Sequence, residues 1–221
     1  MTNRTIHRAW PVLKAQVQGL DMPWLENMVN SSTGRRDPFK VLISCLLSLR
    51  TQDRTTGIAS ERLFALAPDL ITMSALPVKK IEKVIYPVGF YKVKAERIKA
   101  LCSVLINKYN SKVPSDLDEL LTLKGVGRKT ANLVVTLGYR KPGICVDTHV
   151  HRITNRWGYI ESKTPEQTEF ALRNILPRQY WLEINGLLVA FGQGICKPIS
   201  PLCTECAISR FCDAVGVTKH R

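Results

Sequence analysis

The chain has 221 residues, of which 45% are hydrophobic and 23% are charged, a composition that is ordinary for a globular protein of one or two domains. Lys and Arg outnumber Asp and Glu by 32 to 18, which gives a formal net charge of +14. An excess of this size favours a polyanionic partner, either nucleic acid or an anionic membrane surface. No apolar run approaches the ~20 residues of a membrane span and the first residues lack the apolar segment of a signal peptide, so we expect neither membrane insertion nor export.

The spacing of apolar residues is helical almost throughout and predicts an all-α fold. We expect Asp53, Asp147 and Thr164 to cap helices, and a capping-box variant at Ser115 and Asp118 to start another. Further helices are predicted over 39–49, 77–85, 91–109 and 179–195. The helix over 91–109 is the longest and amphipathic, and the pattern leaves four lysines for solvent: Lys92, Lys94, Lys99 and Lys108.

A turn with two glycines, Gly125 and Gly127, separates two predicted helices in the segment LKGVGRKTA at 123–131. Glycines let successive N–H groups converge, and the following helix presents its positive N-terminus, so the turn can hold a phosphate. Gly-x-Gly alone also fits an ordinary helix C-cap. From Lys124 to Arg156, however, there are seven Lys or Arg and a single acid, Asp147, which favours a phosphate-binding hairpin.

Lys129 lies in the first turn of the helix that follows these glycines, next to Arg128. The helix dipole and the adjacent cation both favour the neutral amine, which is the nucleophilic form of lysine. A solvated surface lysine is the ordinary alternative. Asp147, the lone acid of the basic stretch, fits a helix N-cap, and that role is compatible with catalysis.

The seven cysteines divide into two groups. Cys45, Cys102 and Cys145 are scattered in apolar surroundings, where we expect core thiols, whereas four others follow the pattern C-x6-C-x2-C-x5-C near the C-terminus. An odd total without an export signal argues against disulfides and for a metal site in a reducing compartment. A single C-x-x-C pair favours an iron–sulfur cluster over zinc. The four candidate ligands are Cys196, Cys203, Cys206 and Cys212.

Three features together resemble the endonuclease III family of DNA glycosylase/lyases: the helix–hairpin–helix at 123–131, the VDTHV segment at 146–150 and the four-cysteine ending. They occur in that family's order and spacing over 36–212. The resemblance implies a six-helix barrel with the hairpin over 31–141, and a second domain, made of 1–30 and 142–221, that carries a [4Fe–4S] cluster on the four cysteines. It also implies an active site in the cleft between these domains, with Lys129 and Asp147 as catalytic residues.

The same resemblance, together with the basic character of the hairpin and of the cysteine loop, indicates the DNA contacts. Arg50 and Phe90 match the family's gap-filling positions, which occupy the space left by an extruded base. The family commonly has glutamine at the first position and leucine at the second, so this chain departs from the pattern at both. The expected DNA-binding residues are Arg50, Phe90, Gly125, Val126, Gly127, Arg128, Thr130, His149, Lys197 and Arg210.

Two related groups fit less well. The superfamily's adenine glycosylases lack the catalytic lysine and carry an extra C-terminal domain, whereas this chain ends shortly after Cys212. The 8-oxoguanine glycosylases that share the hairpin normally lack the cluster. Because Arg50 and Phe90 depart from the pattern, a specificity for mismatched or purine-derived bases stays open, and so does a non-enzymatic DNA-binding protein.

The predicted function is a bifunctional DNA glycosylase and AP lyase of base excision repair that removes oxidised pyrimidines from double-stranded DNA and also cuts at abasic sites. Lys129 would attack C1′ of the deoxyribose and form the imine from which β-elimination cuts the strand. We expect a monomer that does not interact with membranes. Without an export signal, a chain of prokaryotic origin is expected in the cytoplasm, associated with the nucleoid.

Overall fold

The computed structural model describes residues 1–31 and 36–221, and within these residues the chain is helical with no β-strand. The first half contains α1 (Asn3–Val17), α2 (Trp24–Ser31), α3 (Pro38–Ser48), α4 (Asp53–Leu66), α5 (Leu70–Ala75), α6 (Val78–Ile85) and α7 (Tyr91–Lys108). The second half contains α8 (Leu117–Leu121), α9 (Arg128–Leu133), α10 (Thr148–Arg156), α11 (Pro165–Ile175) and α12 (Ile184–Gly194). A π-helical turn, Val134–Gly138, extends α9. The predicted all-α class is confirmed.

Helix starts are set by local side-chain caps. Asp147 and Thr164 accept hydrogen bonds from the first turns of α10 and α11, as predicted. Asp53 is not a cap, because α4 already begins at that residue and its Oδ2 instead accepts a hydrogen bond from the N–H of Trp24 at 2.6 Å. The predicted capping box at 115–118 is also wrong, since Asp116 caps α8.

One predicted helix is divided. Instead of a continuous helix over 179–195, the chain forms a short 3-10 turn, Arg178–Tyr180, and α12 begins only at Ile184. The Trp181 indole, in the segment between them, donates a hydrogen bond to the carbonyl of Leu176 at 2.8 Å. This contact holds the Trp181 ring against the end of α11, at the point where the predicted helix is interrupted.

Residues 24–141 form one compact unit around α3. This helix is buried along most of its length and packs on α4, α7 and α9. Lys94, predicted to be solvent-exposed, is only 5% exposed. It lies on α7 at the same helical face as Ile98 and Leu101, so its stem packs among apolar residues while its amine finds backbone acceptors, which are described below.

Residues 1–23 and 142–221 form the other compact unit. Its core lies where α1 and α10 pack on α12, with Leu13, Ile153 and Phe191 almost completely buried. Trp10 stacks on Tyr180 with ring centroids 4.2 Å apart, and its indole donates to the Glu183 carboxylate at 2.9 Å. The N-terminal segment is thereby attached to the C-terminal half.

The boundaries of the compact units differ from the expected domain boundaries at one junction. The expected division placed residues 1–30 with the C-terminal half, whereas α2 belongs to the unit of 24–141 because it packs on α3 and α4. The junction at 141/142 coincides in both. In the described ranges, no helix has both the length and the apolar character that a bilayer crossing requires.

Candidate active site, glycine hairpin and cysteine cavity

The hairpin between α8 and α9 has the geometry that its two glycines predicted. Gly125 adopts φ +87°, a left-handed conformation that favours glycine, and Gly127 is the extended residue at the start of α9. Between them Val126 is buried, and its N–H donates to the carbonyl of Leu123 at 3.0 Å. No side chain caps the first turn of α9 by a hydrogen bond. The N-terminus of α9 thus presents backbone N–H groups that no side chain caps.

Lys129 is the second residue of α9 and its side chain is exposed, whereas the next residue, Thr130, is buried. Thr130 therefore anchors α9 in the core, while Lys129 places its amine at the surface. The charge of Lys129 also acts on Cys45 of α3. Burial raises the pKa of the Cys45 thiol to about 12, and the Lys129 ammonium opposes that rise.

Asp147 lies in the unit that contains α10, and its side chain is 9% exposed. Its Oδ1 accepts hydrogen bonds from the N–H groups of His149 at 2.8 Å and of Val150 at 3.0 Å. The predicted N-cap is therefore present. His149 is half-buried, and the guanidinium of Arg152 lies 3.1 Å from its Nδ1.

Arg50 and Phe90 lie next to each other in the unit of 24–141. Both have a left-handed backbone, with φ +53° and +58°, and the Arg50 guanidinium carbon is 5.8 Å from the centroid of the Phe90 ring. The Phe90 side chain is 62% exposed, an unusual position for a large aromatic ring. The structure thus brings the two residues predicted to fill a gap in DNA into one exposed pair.

The four clustered cysteines line a single cavity of about 70 Å³, and apolar side chains such as Phe191 and Leu202 contribute much of its remaining wall. Burial, together with repulsion from neighbouring thiolates, raises the pKa values of Cys203, Cys206 and Cys212, that of Cys206 to about 11. Among the residues with described positions, no group of His, Cys, Asp or Glu is arranged to hold a single metal ion. Cys45, Cys102 and Cys145 are buried in the core, as predicted.

Two arginines that were not predicted from the sequence hold the loop after Cys196. The Arg156 guanidinium donates to the carbonyls of Lys197 and Pro198, each at 2.7 Å, and lies 3.5 Å from the Cys196 sulfur. Arg152 donates to the Cys196 carbonyl at 2.8 Å. Their spacing of four residues places both on one face of α10, and that spacing was the available signal.

The two residues expected to contact DNA from the cysteine loop differ in exposure. Lys197 is half-buried, and its carbonyl accepts the hydrogen bond from Arg156. Arg210 is exposed, and its guanidinium lies 4.7 Å above the ring of Phe211. Both belong to the unit that holds Asp147 and the cysteines, whereas the hairpin, Lys129, Arg50 and Phe90 belong to the other unit.

Comparison with known proteins shows which family the chain belongs to. A family model described as HhH-GPD superfamily base excision DNA repair protein matches residues 43–178. Endonuclease III of Thermotoga maritima is 48% identical over 177 residues, which are 80% of this chain and 83% of that protein. A trapped covalent intermediate of endonuclease III with DNA, in an estranged-adenine complex, superposes with a TM-score of 0.81 at 33% identity and covers 96% of both chains. A thermostable thymine-DNA glycosylase reaches the same TM-score at 26% identity, over 96% of this chain and 97% of its own.

The fold and the family match define a DNA glycosylase/lyase of base excision repair. The chain belongs to the HhH-GPD superfamily and, within it, to the endonuclease III family. It is an enzyme that acts on double-stranded DNA, with glycosylase activity and lyase activity at abasic sites. The family and the enzymatic function predicted from the sequence are confirmed, and the alternative of a non-enzymatic DNA-binding protein is set aside.

Proposed function

We propose that the enzyme excises oxidised pyrimidines, with Lys129 as its nucleophile and Asp147 as the carboxylate that assists base release. The observation that carries the proposal is the exposed amine of Lys129 at the start of α9, directly behind the glycine hairpin. The relative trapped as a covalent intermediate with DNA supports a nucleophilic mechanism of this kind. An enzyme of this type works on the chromosome, which in a prokaryotic cell means the nucleoid.

A base inside a duplex cannot be reached, so the target nucleotide must first leave the stack, at a cost of a few kcal/mol. The Lys129 amine then forms a bond to C1′ as the bond from C1′ to the base breaks, and the base leaves with that electron pair and a proton. Asp147 stabilises the positive charge that develops on the sugar and takes part in the proton transfer. The nitrogen lone pair then expels the ring oxygen: the C1′–O4′ bond breaks, O4′ takes up a proton, and the product is an iminium ion that joins Lys129 to the opened sugar.

The iminium ion also explains strand cleavage by the same residue. It withdraws electrons and makes a C2′ proton acidic, so a base can remove that proton. The electron pair forms a double bond between C2′ and C3′, and the C3′–O bond breaks with departure of the phosphate. Water then hydrolyses the imine and regenerates the Lys129 amine, which leaves the enzyme unchanged.

The four cysteines fit a [4Fe–4S] cluster, because their thiols line one cavity with a largely apolar remaining wall and N–H groups reach two of the sulfurs. The N–H of Ala214 donates to the Cys212 sulfur at 3.3 Å, and Arg156 donates to that of Cys196. Such a cluster would supply four metal–thiolate bonds that fold the C-terminal segment. The chain itself would then hold Lys197 and Arg210 in place for phosphate contacts.

We propose the compact unit of 24–141 as the helical barrel domain and the unit of 1–23 with 142–221 as the cluster domain. The hairpin residues at 125–128, with Thr130 behind them, would contact phosphates through backbone N–H groups and Arg128. His149 would contribute from α10. Arg50 and Phe90 would fill the gap left by the extruded nucleotide, because they form an exposed pair on one unit.

A second specificity, for mismatched bases, is favoured by one comparison. The thermostable thymine-DNA glycosylase shares this fold across almost the whole chain. Arg50, where the family commonly has glutamine, is the residue through which the two specificities would differ. Rates for an oxidised pyrimidine and for a mismatched thymine in otherwise identical duplexes distinguish them, since the proposal expects the oxidised base to be released faster.

Borohydride trapping tests the nucleophile. Wild-type protein incubated with an abasic-site duplex and borohydride is expected to form a covalent adduct, and Lys129→Gln is expected to lose it while retaining DNA binding. Lys108→Gln, which removes the same charge from an exposed position at the end of α7, is the matched control and should form the adduct normally. An adduct that persists in Lys129→Gln would assign the nucleophile to another amine.

A further inference from the structure

Lys94 makes three polar contacts inside the unit of 24–141. Its Nζ donates hydrogen bonds to the carbonyls of Leu47 at 2.7 Å and Leu49 at 2.6 Å, and to the Thr51 hydroxyl at 3.1 Å. The three N–H donors of an ammonium group thus have three acceptors. The carbonyls belong to the C-terminal end of α3, where helix carbonyls lack intrahelical partners and a positive charge is favoured.

The same residue also contacts the segment that precedes α7. The backbone N–H of Lys94 donates to the carbonyl of Phe90 at 3.0 Å. The Thr51 hydroxyl, which accepts from the Lys94 amine, also accepts from the N–H of Gly89 at 3.1 Å. The Lys94 amine is therefore bonded directly to the loop of 49–52, which carries Arg50, and through the Thr51 hydroxyl to the turn of 87–90, which carries Phe90.

These two loops are in direct backbone contact. A Cβ atom at Gly89 would lie 2.7 Å from the carbonyl oxygen of Arg50, so only glycine permits the observed approach. Arg50 and Phe90 both have a left-handed backbone conformation, which residues other than glycine seldom adopt. Such a conformation persists only where the surrounding structure enforces it. The contacts of Lys94 and Thr51 supply that enforcement at both loops.

We propose that Lys94 is a positioning residue that holds the Arg50 loop and the Phe90 turn together as one rigid wedge for DNA. The inference rests on the proposed function, in which these two side chains enter the gap left by the extruded nucleotide. Lys94 does not touch DNA in this role. It acts through the backbone that fixes the two side chains at the surface.

The alternative that Lys94 only fills space in the core explains its stem but not its amine. Burial, with the charge of Arg97 as a smaller contribution, lowers the pKa of Lys94 to about 8, so the ammonium group is held where water does not solvate it fully. A methionine would fill the same volume without that desolvation cost. The position of the amine is explained by its three acceptors, of which Leu49 and Thr51 belong to the loop that carries Arg50.

The test uses Lys94→Met, which keeps the unbranched stem and removes the amine, in the full-length protein. Single-turnover cleavage is measured on two duplexes that differ at one point: in one the abasic nucleotide faces a normal base, and in the other it is a bulge with no opposite nucleotide. Extrusion of the abasic nucleotide leaves a gap opposite a base only in the first duplex. Lys94→Met should lower the rate on the first duplex by about ten- to a hundredfold, as expected when catalytic positioning is lost, and change the rate on the bulge by less than about twofold.

Lys92→Met is the matched control, because Lys92 is an exposed lysine in the first turn of the same helix and should leave both rates unchanged. If Lys94→Met does not fold, Thr51→Val, which removes only the bridging hydroxyl, is tested in its place. The same comparison of cleavage rates on the paired and the bulged duplex then applies. An equal fall on both duplexes, or no fall on the first, would overturn the inference. Failure of the wild-type enzyme to form the borohydride adduct would instead contradict the proposed function, so the two failures are distinguishable.

Discussion

The Oδ1 atom of Asp147 lies 3.0 Å from the backbone nitrogen of Val150 and accepts its hydrogen bond. This bond belongs to the N-cap of α10, and the second cap bond, from His149, uses the same oxygen. Capping therefore fixes the orientation of the carboxylate. An asparagine would offer a carbonyl oxygen of the same geometry and caps helices about as well as aspartate, so the charge can be removed without removing the cap.

We therefore expect Asp147→Asn to fold with a melting temperature close to that of the wild type and to bind damaged duplex with nearly unchanged affinity. Release of the base should slow by about a hundred- to ten-thousandfold, the range for a lost group in proton transfer, and far more than cutting of a preformed abasic site. The measurement is single-turnover kinetics on both substrates.

Asp116→Asn is the matched control, since Asp116 caps α8 through the same pair of bonds, at 2.9 and 3.2 Å, and has no part in the reaction. It should leave both rates unchanged. Equal losses of affinity and turnover in Asp147→Asn would show that the residue contributes only as a cap.

The four-cysteine cavity predicts a coloured protein. Purified enzyme is expected to be brown and to contain iron and acid-labile sulfide, and Cys203→Ser should lose both, because one of the four thiolate ligands is removed. Cys102→Ala changes a buried thiol of α7 outside the cavity and should retain them. Stoichiometric zinc without iron would overturn the assignment of the cluster.

The cysteine loop should contribute to nonspecific DNA binding. Each phosphate contact releases counterions, so replacing Arg210 by Gln should reduce the slope of log K against log salt by about one unit, and replacing Lys197 should have a similar effect. Lys108→Gln, which removes one charge elsewhere, should leave the slope unchanged. Slopes unaffected by both loop substitutions would place this loop away from DNA.

Features determined by neighbouring residues could be predicted from the sequence. The caps at Asp147 and Thr164 depend on bonds to residues two or three positions further on, and the left-handed Gly125 follows from the glycine turn itself. The four cysteines share one cavity because they are separated by short loops. Each of these features depends on residues close together in the chain, within the 17 positions from Cys196 to Cys212 even for the cysteines.

Features that depend on distant partners could not be predicted in the same way. The acceptors of the Lys94 amine come from the end of α3 and from the loop that follows it, and nothing near Lys94 in the sequence indicates them. Lys94 lies four residues before Ile98, on the apolar face of α7, and this position indicated burial. The general preference of lysine for solvent led to the opposite prediction. The contact between Arg50 and Phe90 is likewise a consequence of how α3 and α7 pack.

Glu26, in the first turn of α2, should make stability depend on pH. Burial raises its pKa to about 7, although the charge of Arg36 opposes the rise. The folded state therefore binds a proton more tightly than the unfolded chain, whose glutamate pKa is about 4.3. Stability is greatest below that value, falls as the pH rises towards 7 and is level above it.

Glu26→Gln removes the ionisation and should raise the free energy of unfolding at pH 8 by about 2 to 3 kcal/mol more than at pH 5. Urea unfolding at the two pH values measures this difference. Glu96→Gln, at an exposed position on α7, should show the same change at both. A pH-independent effect of Glu26→Gln would mean that the carboxylate stays ionised in the folded protein.

Arg50 should determine which opposite base the enzyme prefers. Its guanidinium lies beside the exposed Phe90 ring, and in the proposed wedge, where both side chains enter the gap, it would face the base that has lost its partner. A guanidinium offers a planar fork of donors, and guanine, with its O6 and N7 acceptors, is the base that best accepts such a fork. Lesions opposite guanine should therefore be processed fastest.

Since a bidentate contact of this type provides about 1 to 3 kcal/mol of discrimination, Arg50→Gln should reduce the preference for guanine over adenine by about tenfold without abolishing cleavage. Single-turnover rates for one oxidised pyrimidine opposite each of the four bases, in the wild type and in Arg50→Gln, measure the effect. Arg54→Gln, an exposed arginine in the first turn of α4, controls for the loss of charge and should lower all four rates alike or not at all. If Arg50→Gln also lowers the four rates in parallel, Arg50 contacts a phosphate, and the choice of opposite base lies elsewhere in the wedge.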